Sequence, residues 1–387
     1  MVICMKSVGI ICEYNPFHNG HLYHLNETKK LYPDHTIILV MSGNFTERGD
    51  ASIINKWDKT KIALHYGVDI VIELPYVFAS ESADKFAYAA INILNEMKVE
   101  AIVFGSESNN IDKLKELAEI QLYDKKYNKL VKEYISDGIN YPTALSKALY
   151  DITDKKIDKP NDILALSYIR EIIKLDSKIK PVSIKRNNDY NSRDLNDGTT
   201  SASSIRYALY NNENVDDYIP EETKDFLRNP IYNNDFFPLL KYKLLTEKDL
   251  SIFQTVDEGI ENRLVKYITT SKTLDEFILK VKTKRYTYNK LNRMFNHIIC
   301  NFTKEEASRL NKIEYIRVLG FSYKGQDYLN KNKKNIHLPI VTSFGNIKSE
   351  MLDIEYRVTC CYASVLNEKE KNKLIESEYK NPPIIKS

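Results

Sequence analysis

The 387-residue sequence lacks the features that mark several large classes of protein. No apolar run approaches the roughly 18 residues needed to span a bilayer, so we expect no membrane segment. The five cysteines form no C-x-x-C pair, and adjacent Cys360 and Cys361 are badly placed for a structural disulfide. The short apolar N-terminus meets Lys6 and Glu13 too early for a signal peptide. We therefore expect a protein of a reducing compartment, the cytoplasm.

The sequence also has no large excess of positive or negative charge. The 56 Lys and Arg nearly balance the 53 Asp and Glu, which leaves a net charge of +3. A nucleic-acid partner would therefore have to be recognised by a local basic cluster. The P-loop pattern and G-x-G-x-x-G are both absent, which excludes these two modes of nucleotide binding.

Short apolar strands alternate with helices in the first part of the chain. Strand patterns occupy residues 7–12, 36–41, 69–74, 101–104 and 181–185, and helical patterns occupy 22–31, 56–66 and 82–97. Continuous apolar strands between helices indicate a parallel sheet covered on both faces. In such a sheet the ligand lies at the carboxyl ends of the strands, so the loops after them should face one crevice.

The pattern changes along the rest of the chain. It becomes helical after residue 109, and a polar loop at 187–198 precedes a further helix start at 200–210. Beyond residue 212 strand signals fade until Ile340, and a short sheet element is predicted near 355–359. The predicted fold class is therefore α/β. A Rossmann-like parallel-sheet domain at residues 1–212 is followed by a mainly α-helical C-terminal domain at residues 213–387.

Two histidines stand where the first predicted strand gives way to a helix. His18 and His21 are three residues apart and so share one side of the first turn, beside N–H groups that favour anions. Gly20 leaves out a side chain where a phosphate must come close, and Asn15 and Pro16 shape the turn. The arrangement predicts a catalytic cradle for a nucleotide α-phosphate, in which each donor contributes about 3–4 kcal/mol to the transition state.

Other interpretations of these histidines stay open. His24 adds a third imidazole, so a metal site is one alternative and simple surface histidines are another. Side chains three and six residues apart on a helix point in diverging directions, and no Cys or Asp follows at ligand spacing, so no metal is predicted.

A second segment favours nucleotide binding. Residues 200–206 combine hydroxyl side chains, a helix start and Arg206, which suits a triphosphate.

At these residues the sequence resembles the tRNA(Met) cytidine acetate ligase family, in the HxGH-type nucleotidyltransferase superfamily. The resemblance is carried by motifs in order over nearly the whole chain, at residues 13–21, 42–45, 56–57, 71–75, 104–107, 159–164, 184–186, 284–288 and 317–321. Two mild departures are Glu47, where Gln is usual, and the helix start at 201–204, which lacks the usual Thr-Ser form. Neither departure removes an expected nucleotide contact.

The resemblance implies an enzyme that activates acetate with ATP and acetylates N4 of the wobble cytidine of elongator tRNA(Met). ATP is the expected substrate, and Mg²⁺ is a candidate cofactor. No stable protein partner is implied. Catalysis is expected of His18 and His21. The family's ATP-binding positions match Ile11, Cys12, Glu13, Tyr14, Asn15, Pro16, Phe17, His18, Asn19, Gly20, His21, Leu22, Tyr23, His24, Gly105, Asn161 and Arg186. Position alone makes Asn44, Arg48 and Lys56 candidates for holding acetate.

A basic stretch in the second half is a candidate tRNA surface. Residues 281–334 contain 13 Lys or Arg against 4 Asp or Glu, with aromatic residues interleaved. The residues predicted to bind tRNA are Lys282, Lys284, Arg285, Lys290 and Arg293. The alternative for this stretch is a solvated helical face. For the whole protein, the alternatives are a small-molecule adenylyltransferase and a non-catalytic tRNA-binding protein.

Overall fold

The computed structural model describes residues 5–186 and 200–386, so the polar loop predicted at 187–198 lies outside the described residues. Within these ranges the strands are β1 (Ser7–Cys12), β2 (Thr36–Ser42), β3 (Ile70–Leu74), β4 (Ala101–Ser106), β5 (Lys180–Lys185), β6 (Ile316–Ser322), β7 (Ile340–Val341) and β8 (Ile384–Lys386).

The helices of the first half follow the predicted alternation. They are α1 (Asn19–Leu31), α2 (Lys56–His65), α3 (Tyr76–Ala79), α4 (Ala83–Glu96), α5 (Ile111–Tyr123), α6 (Lys125–Ser136), α7 (Tyr141–Thr153), α8 (Pro160–Lys174) and α9 (Ala202–Tyr210). The helices of the second half are α10 (Glu221–Lys224), α11 (Phe237–Thr246), α12 (Ile260–Ile268), α13 (Leu274–Val281), α14 (Tyr288–Ile299), α15 (Lys304–Arg309), α16 (Tyr323–Asn332), α17 (Glu350–Ala363) and α18 (Glu368–Lys380).

The strands form one sheet in the order β5–β4–β1–β2–β3–β6–β7, and β8 pairs with β6. The first five strands are parallel, which confirms the predicted Rossmann-like α/β fold. Every residue of β2 is buried, as expected of a central strand covered on both faces. The chain leaves β1 toward β2 and later returns on its other side to β4. The carboxyl end of β1 is therefore the topological switch point, where such sheets bind ligands.

The second half contributes more sheet than its sequence suggests. β6 runs antiparallel to β3 and carries β7 and β8, although no strand was predicted at 316–322. The predicted sheet element at 355–359 is wrong, because these residues belong to the helix α17. Ile354 and Val358, four residues apart, are both buried, which is helical spacing. A separate apolar core lies within residues 237–298 of α11 to α14. The domain boundary after residue 212 stays a prediction.

A buried cluster of charges ties the two halves together. The Lys56 Nζ atom lies 2.7 Å from a carboxylate oxygen of Glu73 and 2.8 Å from one of Glu378. The Arg317 guanidinium of β6 pairs with the same two carboxylates. All four side chains are at least 95% buried, so each charge depends on its partners. The cluster thus attaches β6 and α18 to β3 and α2.

Two expectations drawn from composition can be compared with the structure. No helix of the described ranges has the length and apolar character needed to cross a membrane. Among the described cysteines, Cys12, Cys300, Cys360 and Cys361 are all free thiols.

Candidate active site

A cavity of about 320 Å³ opens at the carboxyl ends of β1, β4 and β5. It collects most of the residues that the resemblance assigned to ATP. Those lining it are Ile11, Cys12, Glu13, Tyr14, Asn15, His18, Gly20, His21, Tyr23, His24, Gly105, Asn161 and Arg186. The remaining four, Pro16, Phe17, Asn19 and Leu22, do not line it. Phe17 is instead fully buried and stacks on Tyr66, with ring centroids 5.0 Å apart. It therefore supports the loop between β1 and α1 from the protein core.

His18 is the N-cap residue of α1, and its ring is held by the helix it caps. The Nδ1 atom accepts a hydrogen bond of 3.0 Å from the Gly20 N–H. Burial lowers the pKa of His18 to about 3, with Arg186 and Arg206 contributing, so the imidazole is neutral at physiological pH. Since Nδ1 is an acceptor, the proton of the neutral ring lies on Nε2. His18 can therefore donate a hydrogen bond from Nε2.

His21 lies one turn further along α1 and faces His18. Their ring centroids are 3.9 Å apart. Burial holds the pKa of His21 well below its usual range, and the adjacent His18 adds to the effect. Two neutral imidazoles beside a helix N-terminus form a hydrogen-bonding cradle for an anion. The structure thus brings together the two histidines that the sequence singled out.

The third histidine has a different role. The His24 Nε2 atom lies 3.2 Å from the main-chain oxygen of Val103, an acceptor, so Nε2 carries the proton. This bond fastens α1 to β4. Burial lowers the pKa of His24 to about 4. Within residues 5–186 and 200–386, no group of three His, Cys, Asp or Glu side chains is arranged to hold a metal ion.

The loop between β1 and α1 is held by the loop that follows β2. The Asn15 side chain donates to the Ala51 carbonyl oxygen and accepts from the Ile53 N–H, at 3.2 and 2.8 Å. Arg206 of α9 donates to the Asn15 carbonyl oxygen at 2.7 Å and to the Asp50 carboxylate at 2.8 Å. Asn15 therefore does more than shape a turn, because its hydrogen bonds fix the position of the histidine cradle relative to the loop after β2 and to α9.

Gly105, Asn161 and Arg186 come from three distant segments and meet at one side of the cavity. Arg186 donates to the Asn161 side-chain oxygen at 3.0 Å. A Cβ atom added to Gly105 would stand 2.8 Å from Cδ of Arg186, so the glycine leaves room for the arginine. The Asn161 amide donates in turn to a carboxylate oxygen of Glu107 at 2.6 Å. These three residues form one cluster at the cavity wall, the Arg186 cluster, in which Arg186 supplies the positive charge.

Further residues line the same cavity outside the set predicted to bind ATP. They are Glu47, Arg48, Asp50, Phe86, Phe104, Pro160, Leu164, Tyr168, Ile184, Lys185, Ala202 and Arg206, of which Arg48 and Arg206 had been weighed for acetate and triphosphate. The position of 47–50 after β2 was the available signal for the acidic members. Phe86 and Tyr168 gave no local signal for a ligand site, because they lie on helices whose apolar residues are expected to face the core.

Two residues considered for acetate lie elsewhere. Lys56 is fully buried in the ion cluster with Glu73 and Glu378 and does not line the cavity. Asn44 is also buried, and its amide donates to the Thr359 hydroxyl at 3.2 Å. Arg48 remains at the cavity wall.

The residues predicted to bind tRNA divide into two groups. Lys282, Lys284 and Arg285 are exposed in the segment after α13, and Arg285 pairs with Glu258 at 3.1 Å. Lys290 and Arg293 lie on α14 and are partly buried. The Lys290 ammonium stands 4.0 Å from the centre of the Tyr286 ring.

Arg293 points toward the cavity wall. Its guanidinium lies 3.0 Å from the carbonyl oxygen of Glu47 and 3.2 Å from its carboxylate. Helix α14 also contacts this loop through Asn296, which donates to the Gly49 carbonyl oxygen at 2.9 Å. The basic stretch therefore packs directly on the rim of the cavity.

A switch-point cavity with a His-x-Gly-His helix start defines a nucleotidyltransferase of the HIGH type, and a model of the HIGH Nucleotidyl Transferase family matches residues 5–378. The tRNA(Met) cytidine acetate ligase of Geobacillus sp. (strain WCH70) is 40% identical over 401 residues, covering 98% of this chain and 100% of the relative. The enzyme of that name from Caldicellulosiruptor saccharolyticus is 40% identical over 396 residues, covering 98% of each chain. The chain belongs to the tRNA(Met) cytidine acetate ligase family.

Two solved structures superpose on this chain over nearly its whole length. The crystal structure of Thermotoga maritima TmcAL without ligand superposes with a TM-score of 0.90 at 31% identity, covering 98% of this chain and 99% of that one. A second crystal structure of that protein, bound with alpha-thio ATP, superposes with a TM-score of 0.89 over the same shares.

Proposed function

We propose that this protein activates acetate with ATP as acetyl-adenylate and transfers the acetyl group to N4 of the wobble cytidine of elongator tRNA(Met). Its site of action is then the cytoplasm, where ATP and tRNA occur together. The proposal rests on the family to which the chain belongs and on one structural observation. That observation is the meeting of the histidine cradle and the Arg186 cluster in a single cavity at the switch point.

The first step places an acetate oxygen on the α-phosphorus of ATP and releases pyrophosphate. Acetate by itself is a poor acyl donor, and its adenylate carries AMP as a good leaving group. Charge builds on the non-bridging oxygens of the α-phosphate as it becomes five-coordinate. The Nε2–H of His18 and the helix N-terminus can donate to these oxygens, and each such donor is worth about 3–4 kcal/mol in the transition state. Arg186 and Arg206 supply positive charge for the remaining phosphates.

Mg²⁺ commonly accompanies ATP, held by phosphate oxygens and one or two carboxylates. Three carboxylates line this cavity, those of Glu13, Glu47 and Asp50. Two of them are already paired with arginines, Glu47 with Arg293 and Asp50 with Arg206. The described residues therefore do not form a ready cage for the ion, and we derive no step through it.

The second step brings the cytidine to the acyl-adenylate. The cytosine amine is a weak nucleophile because its lone pair is delocalised into the ring, so orientation must provide much of the acceleration. The base of an anticodon loop is unpaired and can be splayed out for recognition. The exposed cations at Lys282, Lys284 and Arg285, together with α14 on the cavity rim, offer a surface for the tRNA backbone.

The decisive experiment incubates purified protein with elongator tRNA(Met), ATP and labelled acetate and analyses the nucleosides by mass spectrometry. We expect N4-acetylcytidine at the wobble position, dependent on both ATP and acetate. Transfer of AMP to another small molecule, with no change in the tRNA, would instead establish an adenylyltransferase. Binding of tRNA without consumption of ATP would establish a non-catalytic protein.

A further inference from the structure

Three carboxylates line the cavity, and two of them are committed to structural bonds. The Asp50 carboxylate accepts from Arg206 at 2.8 Å, from Asn233 at 3.1 Å and from Asn292 at 3.3 Å. The Glu47 carboxylate forms its ion pair with Arg293. A carboxylate held by an arginine is stabilised in its charged form and is a poor proton acceptor.

Glu13 differs from both. It follows β1 directly and thus stands at the switch point, in the same cavity as the histidine cradle. Its Oε1 atom accepts from the Glu47 N–H at 2.7 Å and from the Ser42 hydroxyl at 3.4 Å, which fixes the carboxyl group in place. Among the residues of the described ranges Glu13 forms no ion pair comparable with those of Asp50 and Glu47, although the charges of Arg48 and Lys59 act on its carboxylate.

The buried ammonium of Lys59 is hydrogen-bonded to the backbone around Glu13. Lys59 donates to the main-chain oxygens of Glu13, Ser42 and Gly43 at 3.1, 2.8 and 2.7 Å, and to the Ser52 hydroxyl at 2.9 Å. Its ammonium therefore supports the backbone around Glu13 and attracts the carboxylate without forming an ion pair with it.

The chemistry of acetyl transfer requires one proton acceptor. The cytidine N4–C bond forms, the bond between the acetyl carbon and the phosphate oxygen breaks, and AMP leaves with the electron pair. The nitrogen begins with two protons and ends with one, and AMP is a good leaving group that needs no proton. One proton must therefore pass from N4 to a base. A carboxylate is also the side chain that accepts hydrogen bonds from cytosine N4.

We propose that Glu13 is the general base of the acetyl-transfer step, accepting the N4 proton of the target cytidine and releasing it to water. The inference rests on the proposed function. It adds to the ATP-binding role that the resemblance assigned to the segment around Glu13, and it assigns the residue to the second step of the reaction.

The surroundings of Glu13 suit this task. Burial raises the pKa of its carboxyl group, and this moves the group toward the range in which a base works well. The titratable and charged groups that face it are Cys12, Glu47, Arg48, Lys59 and Tyr168. Burial lowers the pKa of Lys59 to about 7 and raises that of Cys12 to about 12. Lys59 is therefore the neighbour whose titration must be separated from that of Glu13.

The test measures the two steps separately in Glu13→Gln. The first step is followed by acetate-dependent ATP–pyrophosphate exchange, and the second by single-turnover acetyl transfer from preformed acetyl-adenylate to tRNA(Met). We expect transfer to fall about 100-fold more than exchange, the usual effect of losing a general base. Glu13→Asp should restore part of the transfer rate. Glu100→Gln, a change outside the cavity, is the matched control.

The pH dependence distinguishes a base from a structural residue. In the unaltered protein, the transfer rate should rise with pH as Glu13 loses its proton and then level off. This limb should be absent in Glu13→Gln, whereas a titration of Lys59 would persist in it. If Glu13→Gln does not fold, Glu13→Asp is measured instead, and the pH at which its transfer rate rises should differ from that of the unaltered protein.

Two results would overturn the assignment. One is an equal loss of exchange and transfer in Glu13→Gln, which would make the residue part of ATP binding or of the fold. The other is transfer within about threefold of the unaltered protein, well below the usual effect of a general base. Failure of the unaltered protein to form acetylcytidine would instead overturn the proposed function itself, so the two failures are distinguishable.

Discussion

Gly20 lies against the imidazole ring of His18. A Cβ atom added at Gly20 would stand 2.7 Å from Cε1 and 3.0 Å from Nδ1 of that ring. The same glycine donates its N–H to Nδ1. The sequence suggested that Gly20 makes room for a phosphate, and the structure shows that it first makes room for the histidine that would contact the phosphate.

Gly20→Ala should therefore displace the His18 ring and weaken the adenylation step. We expect acetate-dependent ATP–pyrophosphate exchange to fall about 100-fold, as when one transition-state donor is lost. The thermal unfolding midpoint should change little, because alanine is a better helix former than glycine. A rate within a few-fold of the unaltered protein would show that the position of His18 does not matter.

Gly105→Ala tests the Arg186 cluster. The added methyl group would meet Cδ of Arg186 at 2.8 Å and push the guanidinium away from Asn161. We expect the KM for ATP to rise about tenfold, the loss of roughly one charge-assisted hydrogen bond. Gly345→Ala is the matched control, because no atom lies within 4 Å of its added Cβ. An unchanged KM in Gly105→Ala would separate Arg186 from ATP binding.

The buried ion cluster makes a prediction about stability. Lys56→Met leaves Glu73 and Glu378 with one cation, Arg317, in place of two, and should lower the free energy of unfolding by about 3–5 kcal/mol. Urea unfolding measures the change. Lys61→Met on the same helix removes an exposed pair with Asp58 and should change stability by less than about 1 kcal/mol. Similar effects in both variants would mean that burial does not strengthen the Lys56 pairs.

Acid should destabilise the protein through its buried histidines. Burial lowers the pKa of His24 to about 4, so between about pH 6.5 and pH 4 the unfolded chain binds a proton that the folded protein excludes. The contribution of His24 is complete above this window and is lost as the pH falls through it. Each such histidine lowers the free energy of unfolding by about 1.4 kcal/mol per pH unit.

His24→Gln isolates this effect. It keeps a donor for the Val103 carbonyl oxygen and removes the titration. Urea unfolding of both proteins at several pH values should give a shallower acid slope for the variant. Parallel slopes would show that His24 binds its proton equally well in the folded and unfolded states.

Charge reversal tests the tRNA surface. Changing Lys284 and Arg285 together to Glu should lower tRNA affinity at least about tenfold and reduce its salt dependence, because two phosphate contacts are lost. Pyrophosphate exchange should persist, since neither side chain lines the cavity. The control reverses Lys30 and Lys380, which are exposed cations outside the basic stretch. Equal affinities of the two double variants would refute the predicted surface.

Local sequence signals predicted the parallel core of the fold. β1 to β5 and the helices between them carry apolar periodicities that do not depend on distant residues. The strand β6 escaped prediction because Arg317 interrupts its apolar run. That charge is tolerated within a strand only because Glu73 and Glu378 receive it. The pairing is a tertiary contact and leaves no local trace.

The sequence by itself determined that His18 and His21 stand where a strand gives way to a helix, and the structure makes His18 the N-cap residue of that helix and places His21 in its first turn. The resemblance supplied the predicted ATP-binding positions outside this segment, Gly105, Asn161 and Arg186. Only the tertiary structure decided that Lys56 is a buried counter-ion, that Arg293 pairs with Glu47 at the cavity wall, and that Glu13 lines the same cavity as the histidine cradle. Burial and charge pairing depend on segments that meet only after folding, and they decide what an ionisable side chain can do.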